Sequence, residues 1–201
     1  MGVTERSEGE NRFPEIILAS SSPRRRELLT QIGIPFRSEP PDIEEIQRVG
    51  ESPEEFVQRM SREKAREIAW RYPDNIVLGS DTIVLLDDTV LGKPVDAADA
   101  TDMLQKLSGN THEVLTAFSL IRLSDETEIT GLGRAEVTFR RLDDREIADY
   151  VAGGSPMDKA GSYGIQEDLG AVFIERISGD YYTIVGLPLM QVYCALQQLS
   201  P

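Results

Sequence analysis

Several residue groups in this chain have types and spacing that could do chemistry. In Ser20-Ser21-Ser22-Pro23-Arg24-Arg25-Arg26 a hydroxyl-rich turn meets three arginines at a predicted helix start. A helix N-terminus offers unpaired N–H groups and a positive dipole end, which suit phosphate. One or two of the arginines could clamp phosphate while another pairs elsewhere, or the whole face could simply be solvated. Asp81 follows the apolar run Ile76-Val77-Leu78-Gly79 and Ser80, where open α/β sheets place ligands. A carboxylate there can hold a divalent cation, accept a proton from water, or only cap a turn. Glu44-Glu45 could give Mg²⁺ or Mn²⁺ a hard oxygen ligand or be plain exposed charge. Lys64 and Lys93 could reach an anionic ligand, though a lysine in an apolar stripe usually extends its head to the edge.

Other chemistries have less support. His112 is the sole histidine, read as a loop or strand-edge residue, and Cys194 is read as a small buried apolar side chain. There is no zinc-type cluster, no Gly-x-Ser-x-Gly elbow and no Gly-x-x-x-x-Gly-Lys-Ser/Thr loop.

The elements that must position these residues follow from periodicity. Residues 15–19 form an apolar, central strand; Ser22 caps a helix with Pro23 first, ending at Gly33. Helix 53–71 puts Val57, Met60, Lys64 and Ile68 on one face. Strand 75–79 leads into Ser80-Asp81-Thr82, and strand 83–86 turns through Asp87-Asp88 into Val90-Leu91. Helix 97–107, an antiparallel pair over 113–123 and 128–141, and a helix capped by Asp143 come next. An irregular stretch over 155–169, strands over 171–177 and up to 185, and helix 188–199 complete the pass. The expected fold class is α/β with a mixed sheet, as one unit over 15–199 after a flexible lead-in, 1–14.

Composition narrows the partners. The chain has 201 residues, 40% of them hydrophobic, enough for a sizeable core, and a net charge of −14. That charge disfavours general nucleic-acid binding and anionic membrane surfaces, and no apolar run is long enough to span a bilayer. One cysteine excludes an intrachain disulfide and fits a reducing compartment. The polar start lacks a signal-peptide core, and Arg6 stands where myristoylation wants Ser or Thr.

Leu18-Ala19-Ser20-Ser21-Ser22-Pro23-Arg24-Arg25-Arg26-Glu27-Leu28-Leu29 resembles the opening signature of the Maf family of nucleotide pyrophosphatases. The likeness continues through Arg62-Glu63-Lys64-Ala65, Gly79-Ser80-Asp81-Thr82, Gly92-Lys93-Pro94, Leu107-Ser108-Gly109, Asp158-Lys159-Ala160-Gly161-Ser162-Tyr163-Gly164-Ile165-Gln166 and Val185-Gly186-Leu187-Pro188. It spans nearly the whole chain; its first block and the Asp-Lys-Ala-Gly block are specific.

The resemblance implies an elongated mixed sheet flanked by helices, with two lobes around a central cleft. It implies hydrolysis of a nucleoside triphosphate to monophosphate and pyrophosphate, with a divalent metal cation (Mg²⁺ or Mn²⁺), in the cytoplasm. Asp81 matches the proton acceptor and, with Glu45, a metal ligand. Arg24, Thr82 and Gln166 match substrate-discriminating positions; Arg25, Lys64 and Lys93 match further polar groups of the cleft. The pattern resembles the branch acting on dTTP and UTP, removing non-canonical or surplus nucleotides. A homodimer is left open. A nucleotide-binding regulator of septum formation with little turnover is the alternative.

Overall fold

A strand that is apolar on both faces needs cover on both sides, and β1 (Ile16–Ala19) is buried throughout. In the computed structural model, which describes residues 13–166 and 168–199, β1 lies between two parallel neighbours. These are β2 (Phe36–Ser38) and β3 (Val77–Leu86). Antiparallel to β3 run β4 (Thr89–Leu91) and β5 (Thr111–Arg122), followed by β6 (Thr127–Phe139) and β7 (Ile174–Gly179). The result is a mixed seven-stranded sheet in the order β2-β1-β3-β5-β6-β7, with β4 beside β3.

Local sequence sets the helices. α1 (Pro23–Gln31) begins where Ser22 Oγ accepts from the Arg25 amide, with Pro23 at the first position. α2 (Pro53–Ala69) opens on a Ser52–Glu55 capping box and buries Val57, Met60, Lys64 and Ile68, the stripe expected from their spacing. α3 (Ala97–Leu107) and α4 (Asp144–Ala152) are capped by Asp96 and Asp143. α6 (Leu189–Leu199) closes the fold. The expected strand up to residue 185 is instead a short helix, α5 (Tyr181–Val185), because the Asp180 carboxylate accepts from the amides of Tyr182 and Thr183.

The core is divided along β3. At one end α1 and α6 pack Leu29, Val192 and Leu196 against Leu18, Leu78 and Leu120; at the other, α3 and α4 pack Leu104, Leu107 and Ile147 around Val84, Val137 and Phe139. α2 covers the opposite face through Val57, Met60, Ala65 and Ile68. Of the lead-in, residues 1–12 lie outside the described residues, while Phe13 is buried with its ring edge-on to Tyr193. Among the described residues, no helix is long and apolar enough to cross a membrane.

Candidate active site

The break expected around Ser80-Asp81-Thr82 does not occur: β3 runs unbroken through it, held by β5, with Asp81 opposite Ala117. What stops is the neighbour. β1 pairs with β3 only as far as Gly79, and β4 begins to pair at Val84. Residues 80–83 therefore have no strand on that side, and the sheet has a gap there. Successive side chains of a strand point to opposite faces, so Asp81 and Thr82 enter this gap from opposite sides.

On the Asp81 face, α2 lies close to β3. A Cβ at Gly79 would come within 2.2 Å of the Ser61 carbonyl oxygen and 2.6 Å of the Ala65 amide nitrogen, so the approach requires glycine. It brings Lys64 Nζ to 2.6 Å from Asp81 Oδ1 and 2.7 Å from Glu45 Oε1. Burial holds the Asp81 carboxyl above its ordinary range, and Lys64 and Arg25 only partly offset this. Glu45 is also raised by burial, but Lys64, Lys93 and Arg25 outweigh it and leave Glu45 below its ordinary range. One ammonium thus sits between two carboxylates whose proton affinities are shifted in opposite directions, the kind of separation that divides roles in catalytic sites.

On the Thr82 face, Arg25 is held at three points. Its Nε donates to the Gly186 carbonyl at 2.9 Å, Nη1 to Ser20 Oγ at 3.3 Å and Nη2 to Thr82 Oγ1 at 3.1 Å. Desolvation pulls the Arg25 guanidinium below its ordinary pKa, and the nearby Asp81 and Glu45 carboxylates counter it in part. Arg24 reaches the other rim, donating to the Asp158 carboxylate at 2.7 Å and the Asp158 carbonyl at 3.1 Å. Lys93 is exposed, and Gln166 is exposed on the segment after Asp158. All eight candidate residues, Arg24, Arg25, Glu45, Lys64, Asp81, Thr82, Lys93 and Gln166, line one cleft of about 680 Å³, a volume in the range of small-ligand sites.

A family model described as Maf-like protein matches residues 15–199. The chain belongs to the Maf family. Curated Maf relatives of high similarity are named dTTP/UTP pyrophosphatase. The one from Symbiobacterium thermophilum is 50% identical over 92% of this chain and 94% of its own. That from Salmonella typhimurium is 49% identical over 92% and 93%, and that from Koribacter versatilis 47% over 89% and 91%.

Among the described residues of this Maf chain, no group of three or more His, Cys, Asp or Glu side chains gathers into a metal-ligand cluster. Glu45 and Asp81 nevertheless suit a hard cation. Each gives one oxygen to Lys64, and among the described residues no donor reaches its second oxygen. Mg²⁺ is typically held by one or two carboxylates with substrate phosphates completing its shell, so this donor set fits a cation that arrives with a nucleotide.

Three polar groups in or directly behind the Maf cleft were not evident from residue patterns. Asp158 bridges Arg24 and Lys159, whose Nζ lies 2.9 Å from Asp158 Oδ1. Thr116 backs Thr82 at 2.9 Å, and the Gly186 carbonyl holds Arg25. Their blocks around 158 and 186 carry the family likeness, but nothing local marks a backbone carbonyl as an arginine acceptor.

Two expectations away from the cleft are corrected. His112 is only 2% exposed on β5, packed edge-on to Phe139 and Tyr163, with Nε2 2.7 Å from the Tyr163 hydroxyl. The polar neighbours Thr111 and Glu113 concealed that it faces the core. Cys194 is exposed, because α6 buries Val192, Ala195 and Leu196 and turns Cys194 outward.

Proposed function

We propose that this chain hydrolyses dTTP and UTP to the nucleoside monophosphate and pyrophosphate, as the names of its relatives suggest. The observation that carries the reading is Lys64 between Asp81 and Glu45, with the two carboxylates displaced in opposite directions, in a cleft that also presents Arg24, Arg25 and Lys93. A triphosphate of about four negative charges suits this concentration of cations in an otherwise acidic chain.

In the proposed reaction a water oxygen bonds to the α-phosphorus, the bond from that phosphorus to the bridging oxygen breaks, and pyrophosphate leaves. Asp81 takes the water proton; its raised pKa makes it a better acceptor near neutral pH. Lys64 keeps Asp81 oriented, and Arg24, Arg25 and Lys93 hold phosphate oxygens. Glu45 and Asp81 would hold a Mg²⁺ or Mn²⁺ ion, which when bound supplies charge neutralisation at the phosphates. Gln166, with a donor and an acceptor on its amide, would read the base edge. A cytoplasmic setting suits both the substrate and the single, unpaired cysteine.

The test is product analysis with dTTP, UTP, CTP, GTP and 7-methyl-GTP in Mg²⁺ and in Mn²⁺. Pyrophosphate and monophosphate in equal amounts, fastest from dTTP and UTP, are expected. Orthophosphate as the first product would overturn the chemistry. Nucleotide binding without turnover would favour the regulatory reading.

A further inference from the structure

Hydroxyl groups have one hydrogen and two lone pairs, so a line of them has a direction. Thr116 donates its hydrogen to the Thr183 carbonyl oxygen at 2.7 Å. With that hydrogen committed, the 2.9 Å contact between Thr116 and Thr82 must run from Thr82 as donor to Thr116 as acceptor. Thr82 then has only lone pairs to offer, and one of them accepts from Arg25 Nη2 at 3.1 Å. The line therefore runs one way, from Arg25 through Thr82 and Thr116 to a carbonyl of α5. Thr116 is fully buried and lies outside the cleft lining.

The same short helix fixes the other arm of Arg25. The Gly186 carbonyl, one residue past α5, accepts from Nε. α5 is held against β6 at Gly133, where a Cβ would come within 2.2 Å of Thr183 Oγ1. With Ser20 Oγ on Nη1, three of the five N–H groups of the guanidinium are committed, each to a different segment of the chain. The two that remain belong to a side chain in the cleft wall whose orientation is set from behind.

We propose that Thr116 is a positioning residue for polyphosphate: by fixing Thr82 as an acceptor it holds the Arg25 guanidinium with its free N–H groups toward the phosphates. The proposal rests on the nucleotide reading of the cleft but not on turnover. Its effect lies on the phosphate end of the ligand and is independent of the base.

Tripolyphosphate, which has no base, is the discriminating probe. Its Kd is measured by calorimetry, and its Ki against UTP hydrolysis, on wild type, Thr116→Val and Thr116→Ser. Thr116→Val should weaken tripolyphosphate about tenfold and raise KM for UTP and GTP by a similar factor, with the melting temperature recorded alongside. Thr116→Ser keeps the donor and the acceptor and should stay within about twofold of wild type. These ratios follow from loss of one oriented charge-assisted contact. Tripolyphosphate affinity unchanged in folded Thr116→Val overturns the proposal, as does an equal loss in Thr116→Ser. If Thr116→Val does not fold, Thr82→Val breaks the line one bond nearer Arg25 and carries the same two outcomes. Absence of pyrophosphate release by wild type would sink the proposed reaction alone, because the calorimetric arm still decides the role of Thr116.

Discussion

Lys64 Nζ lies 2.6 Å from Asp81 Oδ1 with both side chains 8% exposed, and the position of that contact is set by the backbone of α2 resting on Gly79. A buried pair of this kind is costly to leave half-made, so the consequences of altering it are large and specific.

Asp81→Asn should lower kcat for UTP roughly 100- to 10,000-fold, the range for loss of a positioned proton acceptor. The amide keeps the size, so UTP affinity by calorimetry should change by only a few-fold. A variant with near wild-type kcat would remove Asp81 from the chemistry.

The pH dependence follows from the direction of the Asp81 shift. Its folded pKa is raised above 3.8, and only the ionised form accepts a proton, so kcat/KM should fall as pH drops through that raised value. Glu45 is shifted the other way and should add no limb in that interval. An acid limb at or below the ordinary aspartate value, with metal held saturating, would contradict the assignment.

Gly79→Ala puts a methyl group where the Ser61 carbonyl stands. α2 must move away, at a cost on the order of 1–3 kcal/mol in stability. Lys64 would retreat with it, so kcat should fall at least tenfold even in the folded fraction. Full activity in a folded Gly79→Ala chain would show that the helix can approach β3 without the glycine.

Arg24→Ala should raise KM for UTP about tenfold or more, the expected loss for one charge-assisted phosphate contact. In the free protein Arg24 is engaged by Asp158, so nucleotide must compete for it. Steady-state kinetics identical to wild type would reduce Arg24 to a structural ion pair.

His112 predicts an acid-side loss of stability. Burial lowers its pKa from 6.5 to about 4, so the unfolded chain binds a proton that the folded chain refuses between those values. The stabilisation is complete above about pH 6.5 and is lost as pH falls towards 4, in all on the order of 3 kcal/mol. Urea melts of wild type and His112→Phe from pH 4 to 7 should show a shallower acid decline in the variant. Parallel declines would assign the slope to other groups.

Much of this arrangement was legible in the sequence. The spacing of Val57, Met60, Lys64 and Ile68 placed a lysine in a buried stripe, and the arginines after Ser22-Pro23 marked the start of α1. Strand length was less legible, because Ser80-Asp81-Thr82 looks like a turn until β5 is known to pair along its whole length. The direction of the Arg25–Thr82–Thr116 line depends on a carbonyl of α5, a segment expected from the sequence to be a strand and capped by Asp180 as a helix. Residue type identified the charged groups; their partners were set by contacts distant in the chain.

The gap in the sheet also bears on how the chain avoids sticking to itself. Unpaired strand backbone is normally an invitation to another polypeptide, and proteins guard it with charges, bulges or covering loops. Here the unpaired stretch, residues 80–83, lies between β1 and β4 and not along a free edge. An incoming strand of ordinary length, about five residues, would have to displace one of those neighbours to pair there. Opening the cleft within the interior of a sheet thus leaves room for a small molecule beside residues 80–83 while withholding a template for aggregation.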